Sequence, residues 1–315
     1  MQNTRVSHPT KDARKGLGNI DWERMAKRVV PYAYLSPTVL LLIFLSLIPI
    51  VTVLYYSLMD NVIITTKPPS FVGLDNYIKI LSDNRFIQAL NNTMVFAAAS
   101  VVAHLILGLA FATLLNTRFI GAAPKALFRV IYILPWVFTA SIIAILWRLL
   151  LNPNGVVNYV LMELGLAATK IEWLSSRQLA LYAVIFINIW AGYPFYMVSF
   201  LAGLQGISDD LYEAGRIDGA NSIQLFRFIT LPLLKPIILS LAMLDFIWTT
   251  HQFTLIWMTT GGGPVRATEM LSTFTYKLAF SSNEFSLAST TAMIILAIST
   301  FVAVFYVRNQ RLNRD

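Results

Sequence analysis

Charged residues fall in clusters along this chain, separated by long stretches that hold none. Marking every Asp, Glu, Lys and Arg leaves charge-free intervals at 29–59, 86–117, 130–147, 178–208, 246–265 and 285–307. A helix crossing a bilayer needs about 20 mainly apolar residues, and about 18 without charge mark a candidate. All six intervals reach that length. They are filled by Leu, Ile, Val, Ala and Phe and lack the two-residue alternation of a barrel strand. Lipid offers backbone amides no partner, so each segment must close its own hydrogen bonds as a helix. The pattern predicts an all-α membrane protein with six transmembrane helices, at 34–58, 94–115, 130–150, 178–204, 237–260 and 286–306.

Composition agrees. Of 315 residues, 57% are apolar and 13% charged, about half the charge of a soluble domain. The absence of cysteine excludes a disulfide scaffold, an iron–sulfur cluster and thiol chemistry. Some 30 polar residues precede the first apolar run, and no small-residue cleavage pattern follows it, so a signal peptide is not expected. The net charge of +8 resolves by side. Sixteen Lys and Arg fall with the two termini, in the tails and in the loops after spans two and four, against eight on the other face. Both termini are expected in the cytoplasm. The excess is a topology signal, and no nucleic-acid partner follows from it.

Residues 1–33 read as a basic cytoplasmic tail. Trp22, Met25 and Val29, at helical spacing among basic residues, suit either a segment lying on the inner headgroups or a solvated tail with a chance aromatic. A six-helix membrane domain spans 34–306, with external loops at 59–93 and 261–285, a cytoplasmic loop at 205–236, and a tail at 307–315. The first external loop should fold into a cap. Its Asn91-Asn92-Thr93 matches a glycosylation acceptor by coincidence, since it abuts a span.

The cytoplasmic loop from Ser208 to Pro232 is patterned as a helix–turn–helix. Ser208 or Asp209 can cap a first helix, and Gly219 permits a sharp turn. Ser222 can cap a second helix bearing Leu225, Phe226 and Ile229, which Pro232 should stop. Glu213, Ala214, Gly219, Ile229, Leu231 and Pro232 stand at the spacing of the Glu-Ala-Ala signature of bacterial ABC importer membrane subunits, with Gly215 in place of the second Ala. The chain resembles that family. Thr259-Thr260-Gly261-Gly262-Gly263-Pro264, Phe71–Tyr77 and the Tyr34/Pro37/Pro49 pattern look like its carbohydrate branch, which includes maltose, trehalose, oligosaccharide and glycerol-phosphate permeases.

The resemblance implies a type I importer fold. It implies a second, homologous permease forming a heterodimer, two ATPase subunits and an extracytoplasmic solute-binding protein in a bacterial inner membrane. Leu211, Tyr212, Glu213, Ala214, Gly215, Asp218, Gly219, Ile229, Leu231 and Pro232 would dock and couple the ATPase. No Gly-x4-Gly-Lys-Ser/Thr loop occurs, so this chain should bind no cofactor, and ATP and magnesium belong to the partner ATPase. No catalytic or metal-binding residues are expected.

Trp147, Trp173 and Trp257 fit an outer interface. Trp190 and Trp248 fall at mid-span. Asn188, Trp190, Tyr193 and Tyr196 lie on a fourth helix expected to break at Pro194. Asp245, Trp248, Thr249 and Gln252 share one face of the fifth, with His251 beside them. Sugars offer hydroxyls to such polar groups and flat C–H faces to such rings, so these residues are candidates for a substrate pathway. Asp245, the only charged side chain inside a span, should have a structural partner. His104 reads as a hydrogen-bonded packing residue. The alternatives are an ABC permease for a non-sugar solute, a secondary transporter, which would need coupling carboxylates or an inverted repeat, and an integral-membrane enzyme, which three scattered histidines do not support.

Overall fold

The computed structural model describes residues 22–63, 67–117 and 121–312. The chain divides into two compact units, Met1–Thr52 and Val53–Asp315.

In the first unit, α1 (Trp22–Leu42) carries Pro31 and Pro37 and runs through a π-helical turn (Ile43–Leu47) into α2 (Ile48–Ser57). The stretch Val30–Ser57 is long and apolar enough to cross a membrane. Trp22–Val29 is helical and continuous with it. Residues 1–21 and 313–315, with Arg118 between the second and third spans, lie outside the described residues.

The second unit opens on the cap. Strands β1 (Met59–Asp60) and β2 (Ser70–Phe71) pair antiparallel, with Met59 opposite Phe71. A short helix, α3 (Asp75–Leu81), follows. Buried Asn76 ties them together by donating to the carbonyls of Ser57 and Met59 at 3.1 and 2.8 Å.

Helix α4 (Asn84–Asn116) begins ten residues before the expected second span, because Asp83 caps it. The Asp83 carboxylate accepts from the Arg85 backbone amide and, at 2.8 and 3.0 Å, from its guanidinium. The Arg85 hydrogen bond holds the Asp83 carboxyl below its ordinary value. A depressed carboxyl stabilises the fold above its unfolded value of about 3.9 and loses that contribution as pH falls through the folded value. Asp83→Ala should cost about 0.5–1 kcal/mol at pH 7, the low end for a cap beside a solvated arginine. The difference in thermal midpoint from wild type should shrink on acidification towards pH 3.

The third apolar interval is not one rod. Helix α5 (Ala122–Val137) and α6 (Ala140–Leu150) meet at a 97° bend. Pro135 removes one bond from the end of α5, and the Thr139 hydroxyl accepts from the Ile142 amide to start α6. After α7 (Val156–Glu163), helix α8 (Ala180–Gln205) passes Pro194 without a break. Contacts on both sides of the proline hold it to α4. A Cβ on Gly192 would stand 2.4 Å from His104 Nε2, and one on Gly108 of α4 would stand 2.5 Å from Tyr196 Cβ. Glycines that let spanning helices approach this closely are the main adhesive where lipid removes the hydrophobic drive.

The loop after α8 forms α9 (Asp209–Ile217) and α10 (Ser222–Leu225). A π-helical turn (Phe226–Thr230) joins α10 to α11 (Leu231–Thr250). Ser222–Thr250 is therefore one apolar helix of 29 residues. It ends ten residues before the expected limit of the fifth span, at a break over 251–253 that precedes α12 (Thr254–Thr259).

The loop after α12 holds a helix the pattern did not indicate, α13 (Leu271–Phe280), before the last span helix α14 (Phe285–Leu312). Leu271, Phe274 and Leu278 pack with Phe86 and Ala89 of α4 and Ala288 and Ile295 of α14. Asn92 donates to the carbonyls of Arg266 and Glu269, and buried Thr93 accepts from the Leu271 amide at 2.9 Å. The acceptor-like Asn91-Asn92-Thr93 is thus used as a clamp on this loop. Five long apolar helices and one bent pair make up the candidate spans among the described residues.

Candidate functional site: a surface loop and a cavity joined by one helix

The first group of candidates lies on the 208–232 loop. The Ser208 hydroxyl caps α9, whose first turn carries Asp209 and Asp210 and whose last carries Arg216, so charges complement the helix dipole at both ends. Gly219 has φ +84°, a left-handed conformation that costs glycine nothing, and its amide closes onto the Arg216 carbonyl at 3.0 Å. The second helix is capped by Asn221, not Ser222. Asn221 and Gln224 exchange side-chain and backbone bonds at 2.8 and 3.0 Å in a capping box. Pro232 does not stop that helix. It stands at the start of α11, directly after the π-helical turn Phe226–Thr230, a local irregularity of the kind that takes up a proline inside a longer helix.

Gly215, in place of the second Ala of the signature, faces the second helix. A Cβ there would lie 2.6 Å from Leu225 Cδ2 and 3.2 Å from Ile229 Cδ1. The tips of these two side chains therefore rest against the bare Gly215 backbone and would have to shift to admit a methyl group. The Tyr212 hydroxyl bonds Thr230 at 2.9 Å and anchors α9 to the π-helical turn. Glu213, Asp218, Leu231 and Pro232 are exposed. Ile217 and Ile223 are 87% and 77% exposed, an apolar surface that suits a protein partner.

The second group surrounds a cavity of about 140 Å3 between α4, α5, α8 and α11. Six of the nine candidates line it: Asn188, Tyr196, Asp245, Trp248, Thr249 and Gln252. Gln252 reaches it from the turn beyond α11, not from the helix face the pattern indicated. Trp190 is turned aside and packs edge-on against Trp147, 5.4 Å between ring centroids. Tyr193 lies against Phe111 at 5.2 Å, and His251 bonds Ser299 of α14 at 2.8 Å. Trp147 is a buried packing residue, not an interface residue.

Four other lining residues were not singled out as pathway candidates. Trp136 and Phe195 stand 5.8 Å apart, and Phe195 and Trp248 5.7 Å, so three aromatic rings adjoin one another at the rim. Gly192 and His104 complete the wall. One signal did exist: Ser100, His104 and Gly108 recur every four residues on α4, as Asn188, Gly192 and Tyr196 do on α8, placing each set on one helical face. Asp245 has its structural partner, His104, at 2.8 Å.

Residues 104–315, which include both groups, match the family described as binding-protein-dependent transport system inner membrane components. The chain belongs to that family. This permease is 36% identical over 285 residues to a probable ABC transporter permease protein of Brucella suis, covering 90% of this chain and 97% of that one. It is 32% identical over 285 residues to the trehalose/maltose transport system permease protein MalF of Thermococcus litoralis, covering 90% and 94% of the two chains. Its fold is that of a chain in a bacterial ABC transporter involved in the import of the acidic polysaccharide alginate. The TM-score is 0.79 at 23% identity, with 92% and 98% of the chains covered. The permease is the transport subunit of an ABC system; ATP hydrolysis belongs to a separate subunit.

Proposed function

We propose that this permease carries a neutral sugar, or a sugar-like solute, into the bacterial cytoplasm through the cavity beside α11. It would work as one half of a heterodimer with a second permease, powered by two ATPases and supplied by an extracytoplasmic binding protein. The observation that carries the reading is the chemistry of the cavity. Aromatic faces of Trp136, Phe195 and Trp248 meet the amides of Asn188 and Gln252 and the hydroxyl of Thr249 in one small space. Rings accept the C–H faces of a pyranose, and amides and hydroxyls exchange hydrogen bonds with its hydroxyls. The cavity is well below the roughly 300 Å3 at which sites for drug-sized ligands begin, so it suits one sugar ring at a time. The trehalose/maltose name of a relative points the same way.

Both termini and the 208–232 loop would face the cytoplasm, with Glu213 and the exposed Ile217 and Ile223 against the ATPase. Movement of the loop would reach the cavity directly, because the helix from Ser222 to Thr250 has the loop at one end and Asp245, Trp248 and Thr249 at the other. Trp248→Ala and Gln252→Ala test the pathway in the assembled complex, with labelled maltose and trehalose as first probes. Each should raise KM or lower the transport rate by about tenfold, the equivalent of about 1.4 kcal/mol. Unchanged kinetics for both variants would remove α11 and the turn after it from the pathway.

A further inference from the structure

His104 and Asp245 face each other under the cavity, with side chains only 3% and 4% exposed. The imidazole Nδ1 lies 2.8 Å from Asp245 Oδ2, and Nε2 lies 3.1 Å from the Asn188 carbonyl oxygen. A carbonyl only accepts, so Nε2 carries a hydrogen. A contact of 2.8 Å between Nδ1 and a carboxyl oxygen needs a second hydrogen between them. The pair therefore holds two protons and no net charge, whichever partner keeps the shared one.

The remaining surroundings are uncharged. Tyr196 stacks on the imidazole at 5.0 Å with planes 9° apart. Gly192 leaves the space the ring occupies. The Thr249 hydroxyl donates to Asp245 Oδ1 at 2.8 Å, which turns its free lone pairs away from the carboxyl group. Asn188 Nδ2 is occupied by Ser100 at 2.9 Å. Asn188 Oδ1 accepts from Gln252 Nε2 at 3.5 Å, so the Thr249 oxygen lone pairs and Gln252 Oε1 are the acceptors left for the hydroxyl hydrogens of a solute.

We propose that His104 is a specificity-determining positioning residue. By neutralising and orienting Asp245, it makes the cavity floor an uncharged hydrogen-bonding surface that admits polyhydroxylated solutes and gives cations no anchor. The proposal rests on the reading of this cavity as the solute pathway. Without His104, a single buried carboxylate would dominate the field in a low-dielectric space.

The absence of cysteine from this chain permits a test that needs no sugar. Trp248→Cys places one thiol at the rim, where Trp248 is 56% exposed. The complex is then treated with cationic 2-(trimethylammonium)ethyl and anionic 2-sulfonatoethyl methanethiosulfonate. Modification is followed on this chain by mass, and each rate is divided by that for free 2-mercaptoethanol. With the pair intact, the normalised cation-to-anion ratio should lie within about threefold of unity. Adding His104→Gln should raise it at least about tenfold, because a bare carboxylate attracts one reagent and repels the other. Adding Asp245→Asn as well should return it. An unchanged ratio in His104→Gln overturns the proposal. If that variant does not assemble, Asp245→Asn alone decides. A neutral pair predicts no change beyond about twofold, and a fall would show that the carboxylate had been bare and overturn it. Sugar uptake by Trp248→Ala fails or succeeds independently of these ratios.

Discussion

Gly219→Pro should reduce solute-stimulated ATP hydrolysis and uptake by the assembled complex more than tenfold while leaving the membrane helices folded. Gly219 holds φ +84°, and proline is locked near −65°. Its amide also donates to the Arg216 carbonyl at 3.0 Å, and proline has no amide hydrogen to give. The turn between α9 and α10 cannot form with that residue, at a local cost of about 3 kcal/mol or more. Nothing lies within 4 Å of a Cβ built at this position, so the effect comes from the backbone and not from crowding. A graded series checks this. Gly219→Asn, which tolerates the left-handed region, should lose least. Gly219→Ala should lose about 1–2 kcal/mol of loop stability, and Gly219→Pro most. Stimulated ATPase activity and uptake are measured beside the thermal midpoint of the purified complex. A Gly219→Pro complex that couples as wild type does would show that the turn carries no coupling.

Gly108→Val should instead strike the bundle itself. A Cβ at Gly108 would lie 2.5 Å from Tyr196 Cβ and 2.9 Å from the Tyr196 carbonyl carbon. Backbone cannot rotate aside as a side-chain tip can, so α4 and α8 must separate. Overpacking of this kind costs about 1–3 kcal/mol, and a branched side chain belongs at the upper end. For a chain of this size the upper end corresponds to a fall in thermal midpoint of about 4–5 °C. Separation would also draw His104 out of the space at Gly192, so the cavity floor and transport should fail together. Gly121→Ala, where a Cβ meets only Pro124 Cδ at 3.8 Å, is the control and should shift the midpoint little. A Gly108→Val midpoint within a degree or two of the control would refute the close crossing of α4 and α8.

Much of this was legible from residues near one another in sequence. A charge-free interval long enough to span a bilayer declares a helix wherever it stands, because lipid leaves the backbone no other state. The Ser208 cap, the turn at Gly219 and the spacing from Glu213 to Pro232 are likewise local. The errors fell where a distant partner or a neighbouring cap decides. Pro194 was expected to break its helix and does not, because α4 grips α8 on both sides of it. Pro135, in a similar apolar setting, stands near a true bend because Thr139 is ready to start a new helix two residues beyond α5. Pro232 looks like a stop signal, but it follows the π-helical turn Phe226–Thr230, which carries the helix past it.

The cavity divides the same way. Residue types suited to a carbohydrate could be named on the fourth and fifth spans. Which of them share one space could not, because that depends on the rotation of each helix about its axis. Trp190 and Tyr193 differ from Asn188 and Tyr196 by only a few residues, yet they face Trp147 and Phe111. His104 and Asp245 are 141 residues apart, and no local rule pairs them. The sequence by itself determined that this chain crosses a membrane as helices and presents a patterned loop between two of them, because length, apolarity and capping act within a few turns. Only the tertiary structure decided where helices bend, which faces meet and which buried charge is neutralised, because in lipid those outcomes follow from small residues and polar partners brought together across the bundle.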